Sequence, residues 1–117
     1  MKYTPDKFIL VKVTSDKEPQ GSYRVFASWY GGYLSGDSWK MNSGCTSVET
    51  VDNYYVFSGE SGSQYICHED TYGCTLYSTG VLYNLKEQGR SQGIIIEEVQ
   101  EEDLLEVIAS INKGEQE

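Results

Sequence analysis

The stretch Tyr23 to Gly44, Y-R-V-F-A-S-W-Y-G-G-Y-L-S-G-D-S-W-K-M-N-S-G, decides the fold class. Over its first eight residues Tyr23, Val25, Ala27 and Trp29 share one face while Arg24, Phe26, Ser28 and Tyr30 share the other, the period of two that defines a strand. Both faces carry rings, which predicts a strand covered on one side by the core and on the other by a helix, a partner or a ligand. Gly31-Gly32 predicts a primed hairpin turn, because glycine takes positive φ at little cost. Ser35-Gly36-Asp37 predicts another turn, followed by a strand over Ser38 to Asn42 in which Trp39 and Met41 share a face.

Working toward the amino terminus, Asp16 to Ser22 (D-K-E-P-Q-G-S) reads as an exposed turn, and Phe8 to Val13 (F-I-L-V-K-V) as a largely buried strand central to the sheet. Toward the carboxyl terminus, Thr46 to Thr50 extends the preceding strand after a bulge at Gly44. Tyr54 to Ser58 and Gln64 to His68, joined by Gly59 to Gly62, form a hairpin signal. The period changes after Gly73: Leu76, Val81, Leu82 and Leu85 fall near one side of a helix over Thr75 to Gln88, with Gly89 placed to end it. Gly93 to Val99 returns to a strand. Leu104, Leu105, Ile108 and Ile111 then form the apolar stripe of a last helix, with acids in its first turn and Lys113-Gly114 at its end. The first seventy residues lack the long crossovers that parallel strands need, so successive strands should pair antiparallel. The expectation is a single α+β domain over residues 1–117, a mainly antiparallel sheet of five to six strands with two C-terminal helices on one face.

A chain of 117 residues with ten tyrosines, three phenylalanines and two tryptophans is long enough and rich enough in rings to build a core. Its net charge of -9 argues against a nucleic acid polymer as partner, because that affinity rests on Lys and Arg displacing counterions. Much of the acidity lies in Glu97, Glu98, Glu101, Glu102, Asp103, Glu106, Glu115 and Glu117. These residues read as a solvated helix face and tail, or as a surface that imitates nucleic acid to occupy a basic host protein. No apolar run approaches the ~18 residues that span a bilayer, and M-K-Y-T-P-D-K lacks the apolar stretch of a signal peptide, so a cytosolic location and no membrane partner are expected. The three cysteines, Cys45, Cys67 and Cys74, are an odd number and read as free thiols.

The densest polar group is Cys67-His68-Glu69-Asp70, with Cys74 nearby. A structural zinc site brings four ligands in short-spaced pairs, whereas this chain has no C-x-x-C and one histidine. A cysteine nucleophile next to His68 is disfavoured because adjacent strand residues point to opposite faces. Glu97-Glu98 and Glu101-Glu102 lack the apolar burial that separates the pKa values of a catalytic pair. Phosphate-cradling loops, dinucleotide fingerprints and nucleophile elbows are missing. The expected protein is not an enzyme and uses no cofactor or metal.

The aromatic segment differs in kind. Trp29, Tyr30, Tyr33 and Trp39 are read either as core or as rings around a groove that stack on a planar ligand. In the second reading Asp37, Ser38 and Asn42, together with Ser35 and Ser43, supply hydrogen bonds, while Arg24 and Lys40 offset the acidic field for an anionic ligand. This segment, with Y-Y-V-F-S-G-E-S-G-S-Q-Y-I-C-H and Y-G-C-T-L-Y-S-T-G-V-L, resembles small accessory proteins of tailed bacteriophages over about residues 8 to 85. The resemblance brings no activity and no site residues with it; it implies a viral accessory protein at work in the host cytoplasm. The expected function is therefore to bind or sequester a small planar, nucleotide-like molecule, a host immune signal. The alternatives are an acidic protein antagonist of a host factor and a minor virion component. Rings on both faces of one strand also predict a two-fold homodimer.

Overall fold

The computed structural model describes residues 1–32 and 36–114. Along the chain run β1 (Lys2–Tyr3), β2 (Lys7–Ser15), β3 (Ser22–Trp29), β4 (Ser38–Met41), β5 (Cys45–Val51), β6 (Tyr54–Gly59), β7 (Gln64–His68), α1 (Leu76–Arg90), β8 (Ile94–Glu98) and α2 (Leu104–Asn112). The fold is α+β, as the hydrophobic periods predict. The strands divide into two four-stranded sheets, ordered β1-β7-β6-β5 and β4-β3-β2-β8, and every named pair is antiparallel except β1 with β7.

The reason for two sheets lies in β2. Phe8 and Leu10 point to one face and Ile9 and Val11 to the other, and all four are buried. One face of its sheet packs on the second sheet: Phe8, Leu10, Val25 and Ala27 meet Tyr55, Phe57, Tyr65 and Cys67, with Leu104, Ile108 and Ile111 of α2 closing the same core. The opposite face, Ile9, Val11 and Phe26, is covered by Leu82 of α1. The two helices thus lie on opposite sides of the β4-β3-β2-β8 sheet rather than together on one face, because a strand apolar on both sides needs cover on both. On β3 the rings of Tyr23 and Trp29 pack against the inter-sheet core and Phe26 is buried on the α1 side, while Tyr30, just beyond the strand, is exposed.

The passage from one sheet to the other occurs after β4, where the sequence predicts a bulge at Gly44 in a continuing strand and the chain instead enters β5 of the second sheet. Asn42 makes the corner: its main-chain N–H donates to Val25 O, its Oδ1 accepts from Val25 N at 2.9 Å, and its Nδ2 donates to Cys45 Sγ. Those bonds end the β3–β4 ladder and release β5 to pair with β6. Gly59 is needed opposite this corner, since a Cβ there would lie 3.1 Å from Asn42 Nδ2 and 3.3 Å from Gly44 O.

Helix α1 begins in a capping box: Thr75 Oγ1 accepts from Ser78 N and Ser78 Oγ accepts from Thr75 N. It runs through Gly89 to Arg90, so Gly89 does not end it. That glycine instead permits close approach to β8, because a Cβ would sit 3.0 Å from Ile94 O. The Tyr72 hydroxyl binds β2 to the chain beyond β8 by accepting from Leu10 N and donating to Val99 O. Helix α2 is fixed at its end by Asn112, whose side chain accepts from Val48 N and donates to Val48 O, closing part of the outer edge of β5.

Candidate functional site

The register of β3 with β4 determines what the aromatic segment can do. Ser28 pairs with Trp39 and Trp29 pairs with Ser38. Residues directly opposite in a ladder share a face, so the two tryptophans lie on opposite sides of the sheet.

Trp29 faces the inter-sheet core. Its Nε1 donates to Thr4 O at 3.1 Å and its ring meets Tyr3 edge-on at 6.3 Å. Lys40 rises on that same side, with Nζ 5.3 Å from the Tyr3 ring centre, a cation–π contact. Asn42 is buried and its polar atoms are committed to the corner described above. Asp37 Oδ1 accepts from Gly31 N between the ends of β3 and β4, and the turn expected at Gly31-Gly32 runs into positions that lie outside the described residues. Tyr30 is exposed, its main-chain N–H donating to Asp6. Ser38 is exposed, and Tyr33 and Ser35 lie outside the described residues. The nominated residues therefore do not converge on one pocket.

Two of them do meet, on the α1 side. Trp39 and Arg24 border a groove of about 380 Å³ where α1 leaves the sheet uncovered. Its floor is apolar: Val13 from β2, Met41 from β4, and Ile94 and Ile96 from β8, with Leu85 of α1 as the wall. Trp39 is held against Phe26 with ring centres 5.6 Å apart, yet 37% of its surface stays exposed. The Arg24 Nε donates to Ser22 Oγ at 3.3 Å, which holds the guanidinium at the rim, and Glu18 lines the same groove. A groove of this size with an apolar floor, one accessible ring and few polar groups has the character of a small-molecule site. Larger in volume, at about 790 Å³, is a cleft by Lys12, Tyr23 and Glu60, where Lys12 Nζ lies 5.5 Å from the Tyr23 ring centre. Its walls mix polar and apolar groups, and the Tyr23 ring in its lining is already met by Lys12.

Val13, Leu85, Ile94 and Ile96 carry no local signal of this groove, since three separate elements bring them beside Trp39. Met41 is different: two residues from Trp39 on a strand, it had to share its face.

Cys45 and Cys67 share the inter-sheet core, while His68 and Cys74 lie apart from them. Cys67 is buried between the sheets, while His68 stands on the outer face of β7 with its ring 5.0 Å from Tyr54 and its Nδ1 accepting from Asp70 N. Cys45 borders the inter-sheet core, and Cys74 packs by Leu82 on the other side of the β4-β3-β2-β8 sheet. Among the described residues no three His, Cys, Asp or Glu side chains gather as a metal site. Burial pushes Cys45 from its ordinary 9.0 up to about 11 and raises Cys67 further; Cys74 is raised as well, mainly by burial.

At pH 7.5 a disulfide reagent should modify Cys67 only at the rate of global opening, with Cys74 reacting before it; Cys67 labelled as fast as a free thiol would contradict its burial. The same burial sets a pH dependence. Above about pH 9 the unfolded chain loses thiol protons that folded Cys45 and Cys67 retain, so the unfolded state binds fewer protons and stability falls as pH rises toward 11. The urea midpoint should hold level near neutrality and decline across that window.

No protein-family model matches the chain, and neither a curated protein nor a solved structure matches it.

Proposed function

We propose that this is a non-enzymatic accessory protein that binds and sequesters a small planar, nucleotide-like molecule in the groove beside Trp39. The observation that carries the reading is a tryptophan anchored on Phe26 and left more than a third exposed above an apolar floor. A large ring in that position loses water from its free face only when another surface covers it. Because Phe26 already fixes the ring, a ligand stacking on it finds the surface pre-organised, and less ordering entropy is lost on binding. Bases suit such a shelf, since stacking is worth roughly 1–3 kcal/mol per ring by alanine substitution. In the host-cell setting implied by the resemblance to phage accessory proteins, the ligand is a host immune signal and sequestration is the activity.

The test separates the two tryptophans. In calorimetric titration against cyclic and linear nucleotides, Trp39→Ala should weaken binding by about tenfold or more, while Trp29→Ala, on the other face, should leave the affinity of the folded protein near the parent's. Absence of binding by the parent, or equal loss in both variants, rejects the groove.

A second reading, an acidic antagonist of a host protein, draws on a different surface. Ile95 and Leu105 are 55% and 68% exposed, on β8 and α2, two elements whose sequence also carries Glu97 and Glu106 and whose connection carries Glu101 and Glu102, so this part of the chain offers both apolar contact and negative charge. It predicts partner binding that survives Trp39→Ala and is lost with Leu105→Lys.

A further inference from the structure

Resting on the reading of the Trp39 groove as a ligand site, we propose that its ligand is a flat ring bearing a single negative charge, with the ring on Trp39 and the charge on the Arg24 guanidinium. Acids outnumber bases in this chain by 18 to nine, so every cation has carboxylates to choose from. Lys86 takes Glu98 at 2.6 Å and Arg90 takes Glu87 at 2.9 Å. Lys12 and Lys40 lie over tyrosine rings. Among the described residues Arg24 has neither kind of partner, and neither do Lys2, Lys7, Lys17 and Lys113; unlike those lysines it lines the groove, where it is half-buried, its Nε donates to Ser22 Oγ, and no carboxylate oxygen comes within 4.0 Å.

The position of Arg24 gives that vacancy a direction. It pairs with Val11 across the β2–β3 ladder and therefore stands on the α1 side with Phe26, Trp39 and Met41, in the lining of the groove. A guanidinium has five N–H donors in a rigid fork, and one is used, which leaves its terminal nitrogens to meet an anion bidentately. Partial burial next to an apolar floor strengthens such a contact relative to one in open water.

The charge count sets the limit to one. Glu18 lines the same groove, so Arg24 and Glu18 together contribute no net charge, and the chain as a whole carries -9. A first negative charge on the ligand is met by Arg24. A second meets Glu18 and the overall field with no further cation in the lining. Singly charged cyclic phosphodiesters and aromatic carboxylates fit this description; nucleoside triphosphates do not.

The experiment titrates four probes into the intact protein: a cyclic purine mononucleotide, the corresponding nucleoside, its 5′-monophosphate, and an indole carboxylate. The parent should bind a monoanionic probe at least roughly tenfold tighter than the neutral nucleoside, as a charge-assisted hydrogen bond supplies, and the preference should shrink with added salt. Arg24→Gln should collapse the ratio of anion to nucleoside affinity to near one, and Glu18→Gln should improve the doubly charged monophosphate more than the cyclic nucleotide. Preference for the cyclic nucleotide over the indole acid identifies a nucleotide source, and the reverse an aromatic acid. Equal parental affinity for nucleoside and monoanions, or a proportionate loss of all four probes in Arg24→Gln, overturns the charge assignment while the groove stands. If no probe binds, or Trp39→Ala changes nothing, the groove reading fails and this proposal with it.

Discussion

Ile108→Asp should leave the protein unfolded in buffer without denaturant. Ile108 is 7% exposed and lies between Leu104 and Ile111 on the buried side of α2, in the same core as Phe8, Tyr55 and Phe57. Removing a buried isoleucine side chain costs roughly 2–5 kcal/mol, and placing an unpaired carboxylate there adds several more or forces its protonation. Domains of this size are stable by only about 5–15 kcal/mol, so the combined loss consumes most or all of the margin. Leu105→Asp is the control, since Leu105 on the same helix is 68% exposed and its replacement should alter stability by less than about 0.5 kcal/mol. Circular dichroism and urea titration decide it: an Ile108→Asp midpoint equal to the parent's would show that α2 does not pack where it is placed.

The expected stripe of that helix includes Leu104, Leu105, Ile108 and Ile111, and three of the four are buried. Leu105 is the exception for a geometric reason, because it lies about 100° around the helix from Leu104, toward solvent. Elements with a strong period are legible in this way. The strand at Gln64 to His68 has the expected bounds, and α1 departs from them by a residue or two at its ends. Strand β1 carries no such signal: Lys2 and Tyr3 are too few to show a period, and they are recognisable as a strand only through their pairing with Gln64 and Tyr65 of β7, beside the bond from Gln64 N to Met1 O.

The separation into two sheets is illegible for another reason. The point at which the chain passes from one sheet to the other is held by Asn42, whose amide can serve equally as a surface hydrogen-bonding group or as a corner holding Val25, and nothing local distinguishes these roles. The division of the tryptophans, by contrast, is implicit in the spacing. Across an antiparallel pair joined by an even number of residues, positions 29 and 39 must face opposite ways. Both the expected two-residue turn and the observed connection over 30–37 are even. What spacing does not give is the rest of the groove, because Ile94 and Ile96 reach Trp39 only after α1 has carried the chain across the sheet and β8 has paired with β2.

Phe8→Ala should produce the other large loss, about 3–5 kcal/mol, without dismantling the secondary structure. The Phe8 ring has no exposed surface and lies where three aromatic neighbours converge: Tyr72 edge-on at 5.1 Å, Phe57 at 5.7 Å and Tyr55 at 6.4 Å. These neighbours come from both sheets' interface and from the segment leading into α1, so no single one can move into the vacated volume without releasing another contact. The cavity therefore stays largely open, which puts the cost at the upper part of the range for large-to-small substitutions. The main chain at this position should hold, because Phe8 O accepts from Gly73 N at 2.7 Å whatever side chain is present. Far-ultraviolet circular dichroism should accordingly match the parent, while the urea midpoint falls by more than about 1 M, given slopes of about 1–3 kcal/mol per molar for small domains. Phe8→Leu, which restores much of the volume but not the ring edges, should recover a large share of the loss. A Phe8→Ala midpoint indistinguishable from the parent's would mean that the two sheets do not pack through this ring.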